Sequence, residues 1–207
     1  MRAGTAFALT LVLLLGAGVG IDAWLTQQAE ARASEQVAAL LDADRADVRL
    51  GPWPASLRLL SGRVPDVEVA AVQARTPDGA VVLQHLEVHL RGVAVDFAAL
   101  EHGVTSLRGR GGSFVADVSA DSVSAVAGTS LRFGDGLGQV EANAATVEVA
   151  ASVEEGVVVL RPVGAAPEGA APVALSLPRL PGGAVIEQAR IVPGALRIAG
   201  VINHLGG

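Results

Sequence analysis

Apolar and polar side chains alternate along several stretches of the chain. In the run LQHLEVHLRGVAVD, Leu86, Val88 and Leu90 occupy every second position, with polar residues between them. Val67 and Val69 repeat the pattern upstream. Successive side chains of a strand point to opposite faces, whereas a parallel sheet covered on both sides would show continuous apolar runs. The alternation therefore predicts an antiparallel sheet with one apolar and one wet face.

Two hairpins can be placed further along the chain. Val147 and Val149 begin an alternating segment, and the run EEGVVVLR after it predicts a partner strand that turns back near Gly156. Near the C-terminus, EQARIVPGALRIAG predicts two strands joined by Pro193 and Gly194, a pair of residues that suits a type II turn.

The apolar register changes once within LQHLEVHLRGVAVD. After Gly92 the apolar positions become Val93 and Val95, one residue out of step with those before. A slip of one residue turns the apolar side chains of a strand to its other face. We therefore predict a bulge or a bend near Gly92.

Helical patterns occur at two places. Residues 27–47 (QQAEARASEQVAALLDADRAD) place Val37, Leu40 and Leu41 on one apolar stripe, with Ala29 and Ala33 behind them at helical spacing, and charged residues fill many of the other positions. This predicts a helix that packs on the sheet. A short second helix is predicted in DSVSAVAG, with Asp121 as its N-cap.

The N-terminal segment is the most apolar part of the chain. Residues 3–21 carry no charge, and a helix continued to Leu25 would be roughly 34 Å long, enough to span a bilayer. Arg2 favours an N-terminus on the inner side of the membrane. We expect residues 1–25 to be an anchor that holds a domain of residues 26–207 on the extracytoplasmic side. The alternative is a signal segment, cleaved at the A-x-A site of residues 31–33, and a secreted protein.

Composition removes several classes of function. All 15 basic residues are arginine, and the chain has no cysteine, which excludes a Schiff-base lysine, a P-loop lysine, disulfides and thiolate chemistry. The net charge of -6 argues against a nucleic-acid partner. Aromatic residues are only 3% of the chain, so small aliphatic side chains must fill the core or line a channel that accepts acyl chains.

No catalytic or metal-binding set emerges from the motifs. His85 and His89 flank Glu87 in a triplet, but on a strand the two histidines lie about 13 Å apart, too far to share one metal ion. The glycine-rich run of residues 134–138 lacks the strand, helix and acidic residue of a dinucleotide-binding motif and is interpreted as a turn. No G-x-S-x-G elbow occurs.

The segment GPWPASLRLLSGRVPDVEV combines a tryptophan with leucines and arginines. Tryptophan favours membrane–water interfaces, and Trp53 with Leu57 and Leu60 would suit a rim where acyl chains enter. Arg58 and Arg63 would suit a lipid phosphate, because a guanidinium group binds phosphate oxygens in pairs. The alternative is a turn that only caps the end of the sheet.

This segment also carries a resemblance to a family. Together with LEVHLRGVAVD, GSFVADVSADSVSAV and LPRLPGGAVIEQARIVPGALRIAG, in that order, it resembles the LmeA-like phospholipid-binding proteins of actinobacteria over residues 25–202. Trp53 stands where the family more often has phenylalanine. The resemblance implies a curved sheet wrapped on a helix, similar to the tubular lipid-binding folds, and a phospholipid-binding protein of the envelope linked to assembly of mannose-bearing glycolipids.

We therefore predict an α+β protein: a curved antiparallel β-sheet wrapped on a long N-terminal helix, preceded by a transmembrane or signal helix. We expect no enzyme activity and no cofactor; the expected partners are phospholipid, the membrane and envelope biosynthesis proteins. The alternative is a structural or interaction protein of the envelope with a dry core. The predicted acyl-chain residues are Trp53, Leu57, Leu60, Val67, Val69, Leu86, Val88, Leu90, Val147 and Val149, and the predicted head-group residues are Arg58 and Arg63.

Overall fold

A computed structural model of the protein describes residues 24, 26–39, 41–51, 63–76, 79–95, 107–108, 110–142, 145–164, 171–175 and 184–203. These parts of the chain form two helices, α1 (26–39) and α2 (Ala120–Ala127). Their strands are β1 (Arg45–Leu50), β2 (Arg63–Arg75), β3 (Val82–Val95), β4 (Leu107–Arg108), β5 (Gly112–Ser119), β6 (Leu131–Phe133), β7 (Gly138–Ala142), β8 (Ala145–Glu154), β9 (Val157–Pro162), β10 (Val173–Leu175), β11 (Ala184–Val192) and β12 (Ala195–Ile202).

The larger sheet confirms the predicted antiparallel arrangement. In the described part of the chain it has seven strands in the order β1-β2-β3-β5-β12-β11, with β4 paired to the end of β3. Each of its strand pairs is antiparallel. The predicted turn at Pro193 and Gly194 joins β11 to β12, and Gly194 has a φ of 76°.

The two faces of β2 and β3 are those that the alternation predicts. Leu86 and Leu90 are buried, whereas Glu87 and His89, which lie between them in the sequence, are exposed. The predicted irregularity at Gly92 is a bend. Gly92 has a φ of 59°, a left-handed conformation that glycine adopts without strain, and Val93 beyond it is again buried. The pairing register between β2 and β3 continues unchanged across the bend.

A second antiparallel sheet has the strand order β10-β9-β8-β7-β6 among the described residues. The predicted hairpin is formed by β8 and β9, and its turn contains Glu155 and Gly156 with φ values of 51° and 79°. The glycine-rich run is the turn between β6 and β7, as predicted. A Cβ atom on Gly138 would lie 3.1 Å from Ile191 Cδ1, so this glycine lets β7 pack closely on β11 of the larger sheet.

Helix α1 lies along β1, the edge strand of the larger sheet. The Val48 N–H donates a 2.9 Å hydrogen bond to Ser34 Oγ, and the Leu50 N–H donates a 2.9 Å bond to Glu30 Oε1. Two donors of an otherwise unpaired strand edge are thereby satisfied. The apolar residues Ala33, Val37 and Leu41 pack against the core.

The predicted C-terminal end of this helix is wrong. The helix was expected to reach residue 47, but the described helical residues run only to 39, residues 41–44 are not helical, and Arg45–Leu50 form β1. Asp42 takes a φ of 43°, outside the right-handed helical region. Pairing of β1 with β2 prevails over the local helical propensity of these residues.

Helix α2 is present, but Asp121 is not its N-cap. The Ser122 N–H donates a 3.2 Å hydrogen bond to Ser119 Oγ, and Ser119 has the extended backbone of an N-cap residue. Asp121 lies in the first turn, where a carboxylate interacts favourably with the helix dipole.

Within the described residues, no helix is both long and apolar enough to cross a membrane. The predicted anchor, residues 1–25, falls mostly on residues 1–23, which lie outside the described part of the chain.

Candidate functional site

The apolar face of the larger sheet is the candidate site, and it is most tightly packed at one end. Leu83, Val118, Leu196 and Ile191 follow one another across β3, β5, β12 and β11, and their side chains are at most 5% exposed. We call this the Leu83 end. Here the sheet is covered by the second sheet, whose Val149 belongs to the same apolar cluster.

Side-chain exposure is higher at several positions toward the other end of this face, which we call the Leu50 end, although Val48 and Phe114 on this half are only 3% and 4% exposed. There Leu50 pairs with Val67, and Leu90 follows on β3; Val67 is 8% exposed and Leu90 is 9% exposed. Beyond the bend at Gly92, Val93 is buried again. The partly buried apolar residues on this half of the face are Leu50, Val69, Val88, Ala184 and Ile186.

The structure brings five of the predicted acyl-chain residues together. On the apolar face, Val69 pairs with Val88 and Val67 pairs with Leu90. Leu86 lies two residues from Val88 along the same strand and is 8% exposed. These five side chains, from two neighbouring strands, lie on one apolar face, on which Val69 and Val88 are partly buried and the other three belong to the buried core.

The other predicted site residues are placed differently. Val147 and Val149 lie in β8 of the second sheet, and both are buried. Arg63 begins β2, where its backbone pairs with Ala94. The predicted rim residues Trp53, Leu57 and Leu60 and the head-group residue Arg58 lie outside the described residues.

Sequence reasoning missed residues of the same face that belong to other strands. Phe114 of β5 pairs with Val88, and Gly200 of β12 pairs with Phe114. Ile186 of β11 then pairs with Gly200. The alternating run GSFVADVS carries the signal for Phe114, but the position of β12 and β11 beside β5 is not encoded in any local pattern.

Two surface grooves are bordered by described residues, and neither includes a predicted acyl-chain residue. One, of about 560 Å³, runs beside α2. The other, of about 480 Å³, lies between Val153 and the outer face of β11 and β12, and its lining includes Arg190 and Arg197. The two grooves therefore lie outside the apolar face that carries the predicted residues.

The outer face of the larger sheet is polar. His85 Nε2 lies 2.9 Å from Glu87 Oε1, and His89 Nδ1 lies 3.6 Å from Glu68 Oε1. The His85, Glu87 and His89 side chains thus lie on a solvated strand face, as predicted. The described residues contain no group of three or more His, Cys, Asp or Glu side chains that could hold a metal ion.

The strongest polar contact on this face joins β5 to β12. Arg197 donates from Nε to Asp117 Oδ1 at 2.6 Å and from Nη2 to Asp117 Oδ2 at 2.7 Å. These hydrogen bonds lower the pKa of Asp117, and the positive charge of Arg197 adds to the effect against the opposing influence of burial. The paired groups thus stabilise the sheet on the face opposite the candidate site.

Comparison with known proteins assigns the chain to a class. The model of the LmeA-like phospholipid-binding family matches residues 16–201, which is most of the chain. The protein belongs to this family, and the resemblance found in the sequence is confirmed. No curated protein and no solved structure matches the chain.

Proposed function

We propose that this protein binds phospholipid through the apolar inner face of its larger sheet. The observation that carries the proposal is the family match over residues 16–201. The placement of Val67, Val69, Leu86, Val88 and Leu90 on one continuous face supports it. Val69 and Val88 are only partly buried, so apolar surface is left for an acyl chain to cover. Burial of each chain methylene contributes about 0.8 kcal/mol.

The proposal extends to where the protein acts. Residues 1–25 anchor it in the cell membrane, with residues 26–207 on the extracytoplasmic side. The uncharged run of residues 3–21 supports this placement. The protein binds its lipid without transforming it and carries it to envelope biosynthesis proteins. That these partners assemble mannose-bearing glycolipids is proposed from the family resemblance alone.

The second candidate function is a structural or interaction protein of the envelope with a dry core. The Leu83 end favours it, because Leu83, Val118 and Leu196 are at most 5% exposed. A protein that was packed in this way along the whole face would have no surface to offer a lipid tail.

Native mass spectrometry of the full chain separates the two functions. The chain is purified in a mild detergent and sprayed after gentle detergent removal. We expect the mass of the protein plus one or two phospholipids, identified by lipid analysis of the same sample. A protein that keeps only its own mass, while a known lipid carrier treated alongside retains lipid, would support the dry-core function.

A matched set of variants assigns the bound lipid to the inner face. Val69→Thr combined with Val88→Thr keeps side-chain volume but places two hydroxyls against the acyl chain. Each hydroxyl buried without a partner costs about 1–3 kcal/mol, so we expect the affinity for phospholipid to fall at least about tenfold. Val72→Thr is the control, because Val72 lies on the outer face of the same strand and is 43% exposed. Equal lipid retention in both variants would remove the inner face from the site.

A further inference from the structure

We propose that the Leu50 end of the larger sheet docks on the lipid bilayer, so that the partly exposed half of the apolar face lies next to the membrane. The inference rests on the proposed function, in which the residues before α1 are the membrane anchor. It adds an orientation: the Leu50 end lies at the membrane, and the Leu83 end points away from it.

The direction of α1 is the first observation. Glu30 bonds to the Leu50 N–H, and Ser34, one turn later, bonds to the Val48 N–H. Past the end of the helix, the Arg75 N–H donates a 2.8 Å bond to the Leu41 carbonyl, and Arg75 pairs with Val82 near the Leu83 end. The N-terminus of α1 therefore lies at the Leu50 end, and the anchor must leave the domain from there.

Trp24 is the second observation. It lies six residues before Glu30, about 9 Å along a helix, and is 58% exposed. The uncharged run of residues 3–21 ends just before it. Tryptophan is enriched at membrane–water interfaces, where its ring lies among the head groups. Trp24 is therefore placed to hold the beginning of α1 at the bilayer surface.

The charged side chains at the Leu50 end are compatible with this orientation. Arg91 and Arg110 flank the bend at Gly92 and are exposed, and neither forms an ion pair with a described residue. Asp66, which is also exposed, pairs with Arg91 in the strand register. At the Leu83 end, Arg75 is bound to Asp42 at 3.1 Å. Arg190, near the Leu83 end, is also exposed and forms no ion pair with a described residue, so charge alone does not distinguish the two ends. In the proposed orientation, Arg91 and Arg110 are available to anionic head groups, where a basic residue contributes about 1 kcal/mol.

In this orientation, an acyl chain has a short path from the bilayer to the apolar face. An acyl chain that enters from the Leu50 end would pass Leu50, Val67 and Leu90 and then reach the partly buried Val69 and Val88, before the fully packed part of the sheet. Docking by the Leu83 end would require the chain to pass the fully packed part of the sheet.

Energy transfer to the membrane tests the orientation. The chain has no cysteine, so a single introduced cysteine carries the only dye. Ser113→Cys labels the Leu50 end, and Ala125→Cys labels the exposed side of α2 at the Leu83 end. Ser113 lies about 20 Å from Ser119, the last residue of β5, and α2 begins at the next residue. The two labels are therefore well separated along the sheet. Each labelled full-length chain is incorporated into phosphatidylcholine–phosphatidylglycerol vesicles that contain an acceptor dye on the lipid head groups.

We expect clearly higher transfer from Ser113→Cys than from Ala125→Cys. Equal transfer, or higher transfer from Ala125→Cys, would overturn the proposal, and so would a chain that does not associate with the vesicles. Thermal melts of both labelled proteins establish that they are folded. Phospholipid retention is measured on the same samples by native mass spectrometry. Retained lipid together with the wrong orientation would refute docking by the Leu50 end and leave the proposed function intact.

A second set of variants tests whether α1 sets the orientation. Glu30→Ala with Ser34→Ala removes both bonds to β1, whereas Glu35→Ala changes an exposed position of the same helix. We expect the difference in transfer between the two labels to shrink in the double variant and to persist in Glu35→Ala. An unchanged difference in the double variant would show that α1 does not set the orientation.

Discussion

Asp117 and Arg197 form the best-connected ion pair of the described residues. Their two hydrogen bonds, 2.6 and 2.7 Å long, lie on the outer face of the sheet, and the Asp117 side chain is 13% exposed. In all six other ion pairs of the described residues, both side chains are at least 41% exposed and are screened by water. We therefore expect this pair to contribute more to stability than the others.

Asp117→Asn tests that contribution. A hydrogen bond to a charged group stabilises by about 1.5–3 kcal/mol, and the exposure of Arg197 places the expected loss near the lower value at pH 7. The pKa of Asp117 is lowered in the folded state, so its contribution is complete above the unfolded pKa of about 3.9 and is lost as the pH falls through the folded pKa. Urea unfolding at pH 7 and near pH 3 measures both effects.

Asp47→Asn is the matched control for this experiment. Asp47 pairs with Arg49 at 3.3 Å, and the two side chains are 47% and 72% exposed. We expect a change in the free energy of unfolding within about 0.5 kcal/mol at pH 7. If Asp117→Asn behaved like this control, the pair across β5 and β12 would not stabilise the sheet.

For single residues, the sequence predicts on which face of the sheet a side chain lies, but not which residue it contacts. Alternation correctly assigned Leu86 and Leu90 to the apolar face and Glu87 to the wet one, because a strand has a strict period of two. Asp117 and Arg197 are separated by 80 positions, and they meet only because β12 returns beside β5. No local pattern contains that information.

Among the elements, β12 is held against β11 at a point where only glycine fits. Gly200 pairs with Ile186 of β11, next to the register shift between Ile186 and Gln188. A Cβ atom at Gly200 would collide with the Val185 carbonyl oxygen and would lie 3.0 Å from Ile186 Cα. The two backbones can therefore approach this closely only because glycine has no side chain.

Gly200→Ala should separate β11 from β12 at the Leu50 end. Overpacking of this kind costs about 1–3 kcal/mol, and backbone atoms have little freedom to yield. Chemical denaturation measures the loss, and hydrogen exchange locates it. Gly134→Ala is the control, because the added Cβ atom would lie 3.4 Å from the Leu137 carbonyl oxygen, which is close to ordinary van der Waals contact. Equal stability of the two variants would show that β11 can move away at no appreciable cost.

Element boundaries were predicted less well than element types. Residues 40–47 have the composition of a helix, yet Arg45–Leu50 pair with β2 because a sheet edge was available. The N-cap of α2 was misassigned by two residues, since Ser119, Asp121 and Ser122 are all plausible capping residues by type. Both errors arise where several local solutions are nearly equal in energy and tertiary contacts decide between them.

For the whole molecule, the sequence predicted the class of sheet and the family but not the way the chain is arranged. The hairpins of β8–β9 and β11–β12 were predicted because their turns are local. The division into two sheets was not, because it depends on contacts such as that of Val149 with the apolar cluster that includes Ile191. The predicted site was accordingly divided, with Val147 and Val149 placed apart from the residues of β2 and β3.

A bound lipid should also stabilise the whole protein. A ligand that binds only the folded state at a free concentration of 100 times its Kd adds about 2.7 kcal/mol, which corresponds to about 5–10 °C in Tm for a domain of this size. Differential scanning calorimetry of the delipidated full chain, with and without phospholipid, measures this shift. Glycerol phosphate, which has the polar group without acyl chains, should produce no comparable shift, because the apolar face supplies the affinity.

Variants of the inner face test whether the lipid-induced rise in Tm comes from lipid bound at that face. Val69→Thr with Val88→Thr should reduce the lipid-induced rise in Tm, and Val72→Thr should preserve it, because only the first two side chains lie on the face that the lipid covers. A shift of equal size in all three proteins would locate the lipid elsewhere. No shift in the unaltered protein, at lipid concentrations that saturate a known carrier, would favour the dry core, since a core that is already filled gains nothing from an added acyl chain.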